Sequence, residues 1–397
     1  MFAFASSPYI ITTWTSGPIA ESILNGPGWR WGFGIFCIIT PAVTTPLLAL
    51  FVANLRKAKK EGIVPPRPKS GRTAFESCKY YLVEFDAVGL LLATGGLSLF
   101  LLSFSLYSLQ TDQWRSALVI SFIVVGGLLL VAFVVWEKWF APVKFLPYHL
   151  LTDRTVLGAC ILSAVLFVSF YIWDSYFLSF LQVVNGLSIT QAGYVFNTYS
   201  IGSCLWAIVV GIVIRYYGRF KPLALYFGMP LTILGVALMI HFRQPDVNIG
   251  YVVMCQIFIA FAGGTLVICE QTAAMAAVTH QYIAVVLALE GMFAYIGGAV
   301  GQTIASAIWT GVFPKKLAQY LPEQAQANLT QIYGSLTVQL SYPMGTPERD
   351  AIIRAYGDAQ RDMLIASTAV LAIGVVSIIV WRDINVKDHK QVKGVVI

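Results

Sequence analysis

Long apolar runs, each near the length that crosses a bilayer, follow one another along almost the whole chain. About 20 apolar residues cover ~30 Å of hydrocarbon as a helix. Ten runs meet that standard, near residues 2–24, 31–53, 86–108, 117–137, 156–181, 191–214, 222–241, 249–271, 283–312 and 363–381. The stretch from Tyr251 to Phe313 would be overlong as one helix, and the polar pair His280-Gln281 divides it. The chain opens inside the first run, and no basic n-region or short cleavable segment precedes that run. A signal peptide is therefore rejected, and Met1 is expected to be an internal methionine of a longer protein.

Lys and Arg orient these spans. The segment after the second span, "NLRKAKKEGIVPPRPKSGRTAFESCK", holds eight of them and is expected to be cytoplasmic. Alternating from there, the cytoplasmic loops and tail carry eighteen, the short outer loops three, and one long outer loop five. The sequon Asn328-Leu329-Thr330 falls in that long outer loop, so Asn328 is a glycosylation candidate. The basic, Pro-rich stretch 56–85 reads as a linker too polar to fold alone. A lipid-binding patch is its minor alternative.

Composition narrows the class. The 397 residues are 57% hydrophobic and 11% charged, against about 25% charged in soluble domains, and the mean hydropathy is +0.73. The net charge of +7 does not point to nucleic acid, because the basic residues sit in loops between spans. Six cysteines show no CxxC spacing and four histidines lie far apart, so neither a metal site nor a cofactor is expected. No GxxxxGK[ST] run is present, which excludes a P-loop for ATP. These features describe an all-α polytopic membrane protein.

Several stretches resemble one superfamily. Gly17-Pro18 in the first span is similar to the Gly-Pro element in the fifth helix of major facilitator transporters. "GWRWGFG" and "FDAVGLLL" resemble its fourteen-helix branch. "FYIWDSYFLSFLQVVNGLSITQAGYVFNTYS", "SYPMGTPERDAIIRAYGDAQRDM" and "WRDINVKDHKQVKG" resemble the fungal siderophore–iron transporters. The resemblance runs from Met1 to the tail. It implies a major facilitator fold in which 1–55 is a two-helix remnant of the N-terminal bundle and 56–85 a basic linker. Residues 86–137 are then an inserted helix pair, 138–312 the first five helices of the C-terminal bundle, and 313–362 an extracellular loop. The last span is 363–381 and the cytoplasmic tail 382–397.

Ionisable residues inside spans are functional candidates, since a charge at mid-bilayer costs about 3 kcal/mol or more unless it faces a cavity or partner. Asp174 lies 19 residues beyond Thr155, about 28 Å along a helix. Its expected face carries Phe170, Tyr171, Phe177 and Gln182, aromatic and polar groups suited to a bulky ferric hydroxamate. In the eighth span, Gln256, Ala260, Gly263, Gly264 and Val267 lead to Glu270 or Gln271 along one small-residue stripe. Glu290 heads a second, glycine-rich stripe in the ninth span and is expected to be buried between helices. Asp174, Glu270 and Glu290 are the candidates for proton coupling. Each has a plain alternative: a solvated edge residue for Asp174 and Glu270, a structural hydrogen bond for Glu290.

Trp173 and Asn197, from the first of the transporter-like motifs, join the expected substrate pathway. "GIVIRYYGRFKPL" has the spacing of the superfamily's loop motif, with Gly211, Gly218 and Arg219 matching. Arg215 and Tyr216 replace its Asp-Arg, so a charge clamp is not expected there. Thr346-Pro347-Glu348 reads as a helix start. The resemblance makes Tyr342 and Tyr356 candidate contacts during substrate entry, and a capping subdomain is the alternative. The expected activity is proton-coupled uptake of ferric siderophores at a plasma or endosomal vesicle membrane, impaired if the chain acts alone. The partners are then a ferric siderophore, protons and membrane lipid. A drug:proton antiporter is the runner-up, and a non-transporting fragment is the rival of another class.

Overall fold

The computed structural model describes residues 2–63, 71–144 and 147–387. Met1, part of the linker and the end of the tail lie outside the described residues. Among the described residues the only non-helical pairing is a single bridge between Arg219 and Asn385. We number the principal helices α1 Tyr9–Asn25, α2 Trp29–Lys60, α3 Ala74–Glu84, α4 Ala87–Leu106 and α5 Ala117–Val135. They continue as α6 Arg154–Asp174, α7 Phe177–Val183, α8 Ile189–Phe196, α9 Thr198–Tyr217 and α10 Met229–Phe242. The last three are α11 Ile249–Ala276, α12 Ile283–Tyr320 and α13 Pro347–Val380.

Nine helical segments among the described residues are long and apolar enough to cross a membrane. The first expected span falls short: Pro8, which has no N–H to donate, caps α1, leaving 17 residues after a short turn of helix at Phe2–Ala5. Within 56–85 the described residues on either side of 64–70 are largely helical. Helix α2 runs on to Lys60, and α3 starts at a capping box in which Thr73 and Glu76 each bond the other's backbone N–H. Between the last two long helices lie residues 321–346, since α12 continues to Tyr320 and α13 begins at Pro347. Thr346 caps α13 through its hydroxyl, as its sequence indicates.

The core lies in α6 and α9–α13. Helices α6 and α12 run in close contact because their facing positions are small. A side chain at Gly297 would fall on the Ala164 carbonyl, and one at Gly301 would stand 2.6 Å from the Val168 carbonyl. The inserted pair α4 and α5 packs on itself and against α12. Asp86 pins the two helices together: its Oδ1 accepts from Gly89 N at 3.2 Å and from Trp136 Nε1 at 2.8 Å.

Helix α1 docks on α8 and α9. Gly17 makes the approach possible, since a Cβ there would lie 3.3 Å from the Thr190 backbone. One turn on, Glu21 Oε2 accepts from the Thr190 amide at 3.2 Å and from its hydroxyl. A carboxylate at a helix N-terminus also meets the positive end of the helix dipole.

Candidate functional site

Between the bundle and α1 lies a cavity of ≈ 480 Å³. Phe167, Phe170 and Trp173 line it from α6, Tyr199 and Ser203 from α9, Gly263 from α11, and Tyr9 from α1. Its aromatic wall is continuous: Tyr199 lies 5.2 Å from Phe170 and 5.7 Å from Trp173, centroid to centroid. No charged side chain is among the lining residues.

Of the residues expected along the pathway, Trp173 lines this cavity, as does Phe170 of the Asp174 face, whereas Tyr171, Asp174, Phe177, Gln182, Asn197, Gln256, Gln271, Tyr342 and Tyr356 do not. Phe177 and Gln182 were placed on the Asp174 face by assuming one continuous helix. Instead α6 ends at Asp174, Tyr176 takes φ +60°, and α7 begins at Phe177 in a new register. Tyr171, still within α6, packs toward α12, against Gly298 and Gly301. Phe177 and Gln182 are buried. Asn197 bonds Ser16 Oγ at 3.3 Å and borders a separate cleft beside α1 and α2. Gln256 is fully buried with neither amide atom hydrogen-bonded among the described residues, and Gln271 Oε1 likewise lacks a partner.

Behind Trp173 stands a residue that sequence reasoning passed over. Arg243, at the outer end of α10, is completely buried. Its Nη1 donates to the Trp173 carbonyl at 2.6 Å, and its guanidinium carbon sits 4.1 Å from the Phe177 ring centroid. Nε and Nη2 have no partner among the described residues. Asp174 is within its electrostatic reach but forms no ion pair with it among the described residues. The available signal was a lone arginine at the end of a span in an otherwise charge-poor outer half.

Glu270 and Glu290 come together. Both are buried, and the two carboxyl groups lie within each other's electrostatic reach, with Ser163 of α6 beside Glu270. Each lies six or seven residues from the α11–α12 connection at 277–282, so about 10 Å along its helix. Two ionised carboxylates buried within each other's field repel, which favours a proton on one of the two.

The outer cover is held by Arg349, also missed from sequence. Its Nε and Nη2 reach the Val183 carbonyl at 3.1 and 2.8 Å, and Nη1 reaches the Gln339 carbonyl at 2.5 Å. Tyr342 contributes its carbonyl to this cluster at 3.3 Å. Tyr356 is buried, and its hydroxyl donates to Gln339 Oε1 at 2.8 Å. Both tyrosines thus stand within the cover's own scaffold. Asn328 is exposed, at the start of a short helix in the cover.

Arg219 and Lys221 of the loop motif reach the last helix and the tail. Arg219 meets Asp383 of the tail at 3.5 Å, and Lys221 Nζ donates to the Ile379 and Trp381 carbonyls at 2.9 and 2.6 Å. Gly218 takes φ +78°, and Asn385 fills the space where a side chain would stand. Gly211, by contrast, faces open space.

The described residues form a multi-span helical bundle that encloses a cavity against a further helix. Comparison with known proteins makes the class specific. The chain is 67% identical over 397 residues to MFS siderochrome iron transporter 1 of Ajellomyces capsulatus, covering all of this chain and 67% of that protein. It is 47% identical over 395 residues to siderophore iron transporter mirB of Emericella nidulans, covering 65% of that protein. With siderophore iron transporter 1 of Schizosaccharomyces pombe it shares 38% over 389 residues, 96% of this chain and 62% of that one. No protein-family model matches the chain. A solved bacterial homolog of the human lysosomal transporter Spinster is similar at TM-score 0.43 and 16% identity, over 75% of this chain and 65% of that one. The chain belongs to the siderochrome iron transporters of the major facilitator superfamily and is an integral multi-pass membrane protein. It spans about two thirds of the length of these relatives.

Proposed function

We propose that this chain carries the ferric-chelate site of a siderophore–iron:proton symporter, and that the chelate occupies the cavity between α1, α6, α9 and α11. The uncharged lining carries the proposal. A ferric ion held by three hydroxamates is electrically neutral, whereas a tris-catecholate complex keeps a large negative charge. Moving such a charge into an uncharged site within the membrane is costly. Aromatic faces and the Ser203 and Tyr199 hydroxyls suit the mixed apolar and amide surface of a neutral chelate. A site where a bundle meets helices of another half also fits alternating access.

Proton coupling is assigned to the Glu270–Glu290 pair, two buried carboxyl groups within each other's electrostatic reach, an arrangement that favours holding one proton between them. Asp174, at the outer end of α6 beside Arg243, is the second candidate. The test is radio-iron uptake from a trihydroxamate chelate into proteoliposomes of the purified chain under an imposed proton gradient. Slow gradient-driven accumulation, in line with the impairment expected of the chain alone, and its loss in Glu270→Gln and Glu290→Gln while chelate binding persists, are the expected results. Chelate binding without accumulation in the unaltered chain removes the symport reading, and absence of binding removes the substrate assignment.

A further inference from the structure

Among the described residues, helix α3 has no protein to lie on. None of its residues is buried. An isolated helix this short is marginal in water, yet α3 is well started, with Glu76 Oε2 accepting from the Thr73 amide at 2.8 Å. Helical spacing gathers Phe75, Cys78, Leu82 and Phe85 on one side, with Tyr81 at its edge. Glu76, Ser77, Tyr80 and Glu84 fall on the other. The apolar side is open: Phe75 is 81% exposed and the adjoining Phe85 69%.

Position and charge identify what covers this face. Helix α3 ends at Glu84 and the membrane span α4 starts at Ala87, so α3 cannot stand away from the bilayer surface. The preceding span α2 ends in Arg56, Lys57, Lys59 and Lys60 on the same side. Arg72 and Lys79 flank the helix itself, with Arg72 3.7 Å from the Tyr80 ring centroid. An amphipathic helix with aromatic and leucine anchors and a basic surround is the pattern of a segment lying in an anionic membrane interface.

We propose that α3, together with the basic end of α2, is an interfacial anchor that binds the anionic lipids of the cytoplasmic leaflet through Phe75, Leu82 and Phe85 and the surrounding lysines and arginines. The positive-inside bias alone would require the charges but no apolar face. A protein partner on the same face is the competing occupant.

The test is amide hydrogen exchange of residues 74–84 in the full chain, placed in nanodiscs of phosphatidylcholine alone or with added phosphatidylserine. Exchange is expected to slow at least tenfold in the anionic discs. The triple substitution Phe75→Ser, Leu82→Ser, Phe85→Ser should abolish this slowing, and Lys57→Gln, Lys59→Gln, Lys60→Gln should remove most of it. None of these side chains packs in the core, so the bundle stays folded, as α6–α13 exchange in the same experiment reports. Equal exchange in the two lipids, or slowing that appears only when another protein is added, overturns the proposal.

Discussion

Arg243 holds Trp173 from behind: the guanidinium donates a 2.6 Å hydrogen bond to the tryptophan carbonyl while the indole side chain faces the cavity. The bond caps a carbonyl at the end of α6, where no further helical amide reaches it. Arg243→Met keeps the bulk but leaves that carbonyl unsatisfied, at a cost of about 1–3 kcal/mol. The purified variant should unfold at lower temperature and bind chelate more weakly. Arg243→Lys should recover part of the stability but lose the planar contact with Phe177.

The close approach of α6 and α12 rests on Gly297. In Gly297→Ala the new methyl meets the Ala164 backbone, which cannot yield as a side chain would. Overpacking of this kind costs about 1–3 kcal/mol. Gly291, on the same helix, faces open space. Thermal unfolding should therefore show a clear loss for Gly297→Ala and none for Gly291→Ala.

Much of this fold was legible in the sequence because length and polarity alone set a span. The split at His280-Gln281, the Thr346 cap, the Gly17 contact and the buried Glu290 all follow from local pattern. The site was less legible. A left-handed Tyr176 ends the register on which the Asp174 face depended, and nothing in that residue's chemistry announces it. Arg243, Arg349 and Asp383 act through partners 70, 166 and 164 residues away in sequence (Trp173, Val183 and Arg219). Pairings over such distances leave no periodic trace.

Arg349 ties α13 to the end of α7 and to the outer cover through backbone carbonyls. Arg349→Gln removes most of these bonds, each charge-assisted bond being worth about 1.5–3 kcal/mol when its partner is left buried. Limited proteolysis should then cut within 323–346 much faster than in the unaltered chain, with the membrane helices left intact.

The α3 cap carries a pH dependence of known sign. The backbone N–H and hydroxyl of Thr73 hold Glu76 below the usual carboxylate range. A group whose folded value is lowered stabilises fully above its unfolded value, about 4.3, and the contribution fades as pH falls through the folded one. Amide exchange across Thr73–Ser77, corrected for intrinsic rates, should be flat from neutral pH to about pH 5 and accelerate only below ~4. Glu76→Gln, which can still accept a hydrogen bond, should remove most of that acid-side change.

The occupant of the aromatic cavity is the claim on which the functional account turns. Equilibrium dialysis of the purified chain against a radio-iron trihydroxamate chelate tests it most directly, with Gly263→Val as the blocking variant. A side chain at Gly263 would stand 2.6 Å from the Tyr199 hydroxyl, inside the cavity wall. The account predicts saturable binding of the neutral chelate, at least tenfold weaker binding in a Gly263→Val protein that still folds, and little binding of a tris-catecholate complex. Equal affinity in the two proteins, or preference for the charged complex, would contradict it.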